Sequence, residues 1–277
     1  MLVTDALPLR FAIRVAERAG DLVYFFDRRR RGIARRNILR AGLADDEAGA
    51  STIARGSYRH FAALVMESLK SSAVLDADEP SRYVTLDIHP NVREVLEDPE
   101  RGLLMTSGHF GNWEIGAQLL SDFKPVVGIT REMSNPYVER LVQKRKPRKR
   151  FRLTPKRADD SGRFLSVLND AEVLALLIDQ YAGDRGARVD FFGHPASTHT
   201  SPALLHLVTG VALCFCSCRR TGLMTFELTT SDLIRHERTG DKQRDIRAIL
   251  ETLNGHLEEA IRRAPDQYVW AHRRWRD

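Results

Sequence analysis

The stretch GLLMTSGHFGNWEIGAQLLSDF, residues 102–123, decides the fold. GLLMTS (102–107) reads as a buried strand, and NWEIGAQLLSDF as a helix that follows a turn containing Gly108 and Gly111. A strand that leads through a glycine turn into a helix is the repeating unit of a parallel sheet. The alternation continues outward. PVVGIT (125–130) predicts a strand, followed by a helix near NPYVERLVQKR. GRFLSVLNDA and SPALLHLVTG predict helices, each followed by a strand, in EVLALLIDQ and VALCFCSCRR. LMTFELTT predicts a further strand and DIRAILETLNGHLEEAIRRAPDQ a long helix. No internal repeat or low-complexity linker interrupts this pattern. The expectation is therefore an α/β fold: a single domain over 1–277 whose mainly parallel central sheet carries helices on both faces.

The bulk properties agree with a folded chain. An apolar share of 43% over 277 residues supports a full hydrophobic core and excludes disorder as the default. A net charge of +6 suits phosphate groups, anionic lipid, nucleic acid or an acidic protein partner. The three cysteines all lie in CFCSC, as Cys214, Cys216 and Cys218. On a strand they share one face, and small buried hydrophobes describe them better than metal ligands. The N-terminus shows no signal-peptide pattern. The most apolar windows are too short or too interrupted to span a bilayer.

The segment at about 8–40 combines an amphipathic helix with a basic run. Arg10, Arg14, Glu17, Arg18 and Asp21 fall within an arc of about 100°. Ala12, Val15, Ala19, Leu22, Val23 and Phe26 take the opposite side, which suits either a docked helix or one lying on a membrane. Seven arginines then crowd into residues 28–40. A second basic run, KRKPRKRFR (144–152), and the closing HRRWR make a phosphate- or membrane-facing surface a serious alternative to simple solvation.

His109 follows a strand and precedes a helix, and ligands in open α/β sheets bind at the carboxyl ends of strands. Histidine exchanges protons near neutral pH, and a carboxylate beside it fixes its tautomer and stabilises its cation. Glu114, in the first turn of the predicted helix, is the carboxylate the turn can fold back. The spacing alone is weak evidence, and a hydrogen-bonded turn histidine explains His109 equally well on this stretch. DIH (87–89) with GNWE (111–114) also suggests a metallophosphoesterase, but Trp113 stands where that chemistry needs a histidine ligand.

Taken together, these segments resemble the lipid A late acyltransferases of the lysophospholipid acyltransferase superfamily. HFGNWE is similar to their H-x4-D/E box, and RRNILRAGL to their N-terminal Arg/Asn segment. VVGITREMSNPYVERLV resembles their second block, with Arg131 at the arginine position. The region from LLIDQYAGD to FFGHPASTHTSPALLHLVTG and the ending PDQYVWAHRRWRD also match. The resemblance implies an acyltransferase-like fold working peripherally at the cytoplasmic face of a bacterial inner membrane. It further implies an acyl carrier protein or coenzyme A thioester as donor and a phosphorylated glycolipid as acceptor.

On this reading His109 is the general base and Glu114 orients it. Arg131 binds an acceptor phosphate, and Asn112 with backbone N–H groups stabilises the oxyanion. Asp179 and Gln180 end a strand at the same sheet edge and suit substrate contact, although turn formation explains them as well. The chemistry requires no metal or other cofactor. Two departures stand out: the chain has the amphipathic helix where such enzymes commonly carry an apolar anchor, and His194 occupies a variable position with no assigned role. The acceptor alternatives are a lysophospholipid or a phosphatidylinositol mannoside. A non-catalytic basic protein that binds membrane or nucleic acid is the alternative of a different class. The His109/Glu114/Arg131 set argues against it, so no nucleic-acid partner is expected.

Overall fold

The computed structural model describes residues 8–71, 75, 80–130, 150–155 and 161–276. The stretch that opened the sequence reading forms β2 (Leu103–Ser107) and, after the turn, a short helix, Trp113–Leu120. In chain order the described elements are α1 (Leu9–Phe26), α2 (Arg28–Arg40), α3 (Glu47–Leu69), β1 (Val84–Asp87), α4 (Pro90–Glu97), β2 and α5 (Trp113–Leu120). They continue with β3 (Val126–Thr130), β4 (Phe151–Pro155), α6 (Ser161–Asn169), β5 (Val173–Leu177) and a hairpin of β6 (Ala187–Phe191) with β7 (His194–Thr198). The last are α7 (Ser201–Thr209), β8 (Ala212–Gly222), β9 (Thr225–Thr230) and α8 (Lys242–Arg263).

Seven strands form one sheet in the order β1-β9-β8-β2-β5-β3-β4. The five from β8 to β4 are parallel, while β9 runs antiparallel to β8 and carries β1 parallel to itself. Successive strand residues alternate between the two faces, as a period of two requires. Leu104, Leu174 and Leu213 enter one buried cluster with Leu253, Leu257 and Trp270. Leu103, Val173 and Cys214 enter the other with Ile115, Val126 and Phe226. Both faces are therefore covered, as the near-continuous apolar runs of β2 and β5 predict. All three cysteine side chains are buried in the second cluster, and burial raises their thiol pKa values, that of Cys216 to about 12.

The expected helix near residues 135–145 lies outside the described residues. The sequence reading also did not foresee α3, β1, α4 or β4. The hairpin β6–β7 was not foreseen; its two loop residues, Phe192 and Gly193, both take positive φ. The orientation of α1 also needs correction. Its buried face is Ala12, Ile13, Ala16 and Gly20, a ridge of mostly small residues at four-residue steps that lies against α3. At Gly20 a Cβ would meet the Tyr58 carbonyl oxygen at 2.6 Å, so only glycine allows this approach. Glu17 and Asp21 turn inward, to Arg220 and to Arg55 and Arg59. The bulky residues Leu22, Phe25 and Phe26 are instead 61%, 64% and 75% exposed.

Candidate functional site

Strands β2 and β5 are neighbours, with Ser107 opposite Leu177, and Ile178 N–H extends the ladder to the Ser107 carbonyl. Two residues beyond this pair the chain delivers His109 from one strand and Asp179 from the other. Their meeting is a consequence of strand register. Asp179 Oδ1 accepts from His109 Nδ1 at 2.8 Å, and Oδ2 accepts from the His109 backbone N–H at 2.9 Å. An ionised carboxylate can only accept, so Nδ1 carries the proton and Nε2 keeps its lone pair. Gln180 Nε2 lies 3.4 Å from that nitrogen.

Asp179 is only 3% exposed. Burial pushes its carboxyl pKa up, but the neighbouring imidazole, its hydrogen bonds and the charge of Arg274 more than reverse this, down to about 2. Tyr268 is buried nearby; burial, then the Asp179 carboxylate charge, raises its phenol pKa. Arg274 is itself buried, donating to the Ser197 carbonyl and to Thr198 Oγ1 at 2.6 Å each. His272 Nε2 accepts from the Tyr181 N–H at 3.0 Å and so ties down the loop that follows Asp179.

The turn after His109 is held from several sides. Gly111 has φ +58°, and a Cβ there would overlap the Cys218 carbonyl oxygen, so glycine is required twice over. Gly111 N–H donates to the Gln267 carbonyl (3.0 Å), Asn112 N–H to the Cys218 carbonyl (2.7 Å), and Val269 N–H to the His109 carbonyl (3.1 Å). His60 Nε2 donates to the Gly111 carbonyl at 3.0 Å; burial depresses the His60 pKa to about 4, which keeps the ring neutral.

His109 stands at the rim of a cavity of about 510 Å³, within the usual size range of ligand pockets. Ser107, Glu114, Thr130, Gln180 and His199 share that polar rim. Val126 and Phe151, paired at the other end of the strands, and Leu120 belong to its apolar lining. The ring of Trp113 meets His109 edge-on, with centroids 5.0 Å apart.

The His109–Asp179 pair therefore lies against a cavity whose lining is mostly apolar. Over residues 1–277 the sequence matches the family described as bacterial lipid A biosynthesis acyltransferase. The chain belongs to that family. It is 25% identical over 189 residues to the lipid A biosynthesis lauroyltransferase of Escherichia coli (strain K12). That match covers 67% of this chain and 60% of that protein.

In this member of the lipid A biosynthesis acyltransferase family the expected site residues separate into groups. His109, Glu114 and Gln180 line one cavity. Glu114 was expected to orient His109, but the carboxylate on Nδ1 is that of Asp179. The reason is topological: Glu114 rides on the first turn of α5, whereas Asp179 is carried alongside His109 by a paired strand. Asn112 is fully buried and does not face the cavity. Its side-chain oxygen caps α5 by accepting from Ile115 N–H at 3.1 Å, and its amide reaches Glu67 at 3.3 Å. Backbone N–H groups of the turn were also expected at the oxyanion, yet those of His109, Gly111 and Asn112 are spent on Asp179, Gln267 and Cys218. Arg131 lies outside the described residues. His194 acquires a structural part, its Nε2 donating to the Arg40 carbonyl at 3.0 Å. His89, of the DIH triplet, caps α4 through Nδ1.

The sequence reading missed Tyr268, Arg274, His60 and Glu67. Glu67 is fully buried against Arg220, whose Nε donates to it at 2.6 Å; burial raises the Glu67 pKa against the pull of that arginine. No periodic signal marks these residues, because each acts through a contact distant in sequence.

Proposed function

We propose that this protein moves a fatty acyl group from an acyl thioester to a hydroxyl of a lipid A-type glycolipid. The observation that carries the reading is the His109–Asp179 pair at the polar rim of an otherwise apolar cavity. His109 Nε2 takes the proton of the acceptor hydroxyl as its oxygen attacks the thioester carbonyl. Asp179 keeps Nδ1 protonated and stabilises the imidazolium that forms. Collapse of the tetrahedral intermediate expels the thiolate, to which His109 returns the proton. The Gln180 amide, close to Nε2, takes the oxyanion role first expected of Asn112. Glu114, on the same rim, positions the acceptor hydroxyl and offsets the developing positive charge. Arg131 holds an acceptor phosphate, for which a planar guanidinium is suited.

The donor is an acyl carrier protein or acyl-coenzyme A, both acidic and both suited to a chain of net charge +6. The enzyme works at the cytoplasmic face of the inner membrane. None of the described helices is long and apolar enough to cross a bilayer. Support for a peripheral attachment comes from α1, whose outward residues Phe11, Leu22, Phe25 and Phe26 are exposed beside the arginines of α2. The test is acyl transfer from thioester donors to phosphorylated glycolipid and lysophospholipid acceptors by wild type and His109→Ala. Transfer to the glycolipid by wild type alone supports the reading. Equal turnover by a folded His109→Ala protein defeats it.

A further inference from the structure

We infer that Arg220 and Glu67 are positioning residues for the proposed reaction: together they fix the turn after His109 and, through Asn112, the end of α5 that brings Trp113 and Glu114 to the cavity. The inference rests on the acyltransferase reading and adds how its geometry is held, with α1 as a contributor.

Arg220, near the end of β8, reaches the turn by two routes. Its backbone is clamped by the Gln267 side chain: Arg220 N–H donates to Gln267 Oε1 at 2.9 Å, and Gln267 Nε2 donates to the Arg220 carbonyl at 2.8 Å. The Gln267 carbonyl in turn accepts from Gly111 N–H at 3.0 Å. The arginine side chain takes the other route. Its Nε donates to Glu67 Oε1 at 2.6 Å, and Asn112 Nδ2 donates to Glu67 Oε2 at 3.3 Å. The two routes end on consecutive residues of the turn, Gly111 and Asn112. The polarity of the second route allows one arrangement. Asn112 Oδ1 accepts from Ile115 N–H, so the amide nitrogen must point at an acceptor. A reversed amide would set hydrogens against that N–H and oxygen against the carboxylate. Each Glu67 oxygen has its own donor, so the carboxylate is fixed in orientation as well. Asn112 caps α5, and the next two residues are Trp113, whose ring meets His109 edge-on, and Glu114, on the cavity rim.

Stability alone does not account for this hub. Glu67 is fully buried and Arg220 largely so. Taking such a pair out of water is costly, and apolar residues of similar volume often fill the same space at equal or better stability. What an apolar pair cannot supply is direction. A carboxylate with two donors holds α3, β8 and the head of α5 in one relation. Arg220 Nη1 also donates to Glu17 Oε1 at 3.2 Å, so α1 braces the hub while Phe25 and Phe26 face outward. The helix proposed to meet the membrane is thereby also tied to the turn that carries His109.

The experiment uses the full chain, with acyl transfer from a thioester donor measured for wild type, Glu67→Gln, Glu17→Gln, the double variant of these two, Arg220→Lys and Arg220→Gln. Glutamine at 67 keeps the volume but offers an acceptor to only one of the two donors. In the folded variant kcat should fall by about 10–100-fold, as a misplacement of about 1 Å near reacting groups brings, with little change in the donor KM. Donor binding is spared because Glu67, Asn112 and Arg220 all lie outside the cavity lining. Arg220→Lys keeps the charge without the planar fork and should retain more activity than Arg220→Gln. Glu17→Gln, at a partly exposed residue, should give a smaller loss and carries the test if the buried variants do not fold. Glu17 and Glu67 act through one arginine, so their effects should not add. Fluorescence gives a readout independent of turnover. A protonated imidazole quenches a neighbouring indole, so acid should dim Trp113 beside His109, with Trp113→Phe giving the background of the other tryptophans. Folded Glu67→Gln should show a smaller acid quench, because Trp113 is no longer held against that ring. Normal kcat with an unchanged quench in the folded variants overturns the inference, and so does a loss of thermal stability without either change. Absence of transfer by wild type, with the quench altered in Glu67→Gln, would instead remove the acyltransferase reading and leave the positioning role standing.

Discussion

His60 makes the turn after His109 acid-sensitive. Its neutral Nε2–H holds the Gly111 carbonyl, and burial lowers its pKa from 6.5 to about 4. In the unfolded chain the ring takes up a proton as pH falls through 6.5, whereas the folded protein refuses it until about pH 4. Between these values the unfolded state binds more protons, so stability falls with pH. A displacement of this size corresponds to a loss of roughly 3 kcal/mol once pH has dropped to about 4. Asp179 contributes with the same sign but lower down, since its stabilisation is lost only as pH falls below about 3.8 toward about 2. The assay is urea unfolding of wild type and His60→Gln at a series of pH values. Glutamine keeps a donor for Gly111 and cannot titrate. The wild-type stability should fall by roughly 3 kcal/mol more than that of the variant between about pH 7 and pH 4. Parallel curves for the two proteins would refute the argument, because the proton would then be bound elsewhere.

The turn and the outer face of α1 give two further tests. Gly111→Ala places a Cβ against the Cys218 carbonyl at φ +58° and should lower thermal stability by about 2 kcal/mol or more, with loss of activity, in calorimetry and turnover assays. Replacing Leu22, Phe25 and Phe26 by serine should leave the fold unchanged, since all three are exposed, and release the protein from anionic vesicles in co-sedimentation. High salt should weaken the binding of wild type to the same vesicles, at about 1 kcal/mol for each Lys or Arg near the surface.

Much of the sheet was legible in the sequence, because β2, β3, β5 and β8 each carry an apolar run of strand length and β9 alternates Phe226 and Leu228 with polar residues. The hairpin β6–β7 was not, since its loop, Phe192-Gly193, lacks the Asn-Gly or Asp-Gly pair that usually marks two residues at positive φ. The facing of α1 was misread for a related reason. A hydrophobic pattern selects the bulkiest residues, but contact with α3 selected Ala12, Ala16 and Gly20, which allow the backbones to approach. At the site His109 was legible from its place between strand and helix. Its partner was not, because Asp179 is 70 residues away and reaches it only through β2–β5 register. Glu114 looked closer because it is closer along the chain.

The choice between those two carboxylates tests the account most directly. Asparagine at 179 cannot satisfy both contacts of the native carboxylate. If its oxygen accepts from the His109 backbone N–H, its amide faces Nδ1, forces the other tautomer and protonates Nε2, the proposed base. If it is flipped, a buried amide donor confronts the backbone N–H. Turnover by Asp179→Asn should therefore fall by about 10²–10⁴ with the fold retained, whereas Glu114→Gln should raise the acceptor KM more than it lowers kcat. The measurement is kcat for both variants with saturating thioester and acceptor. Near-normal kcat in Asp179→Asn together with collapse of kcat in Glu114→Gln would contradict the account and return the orienting role to Glu114.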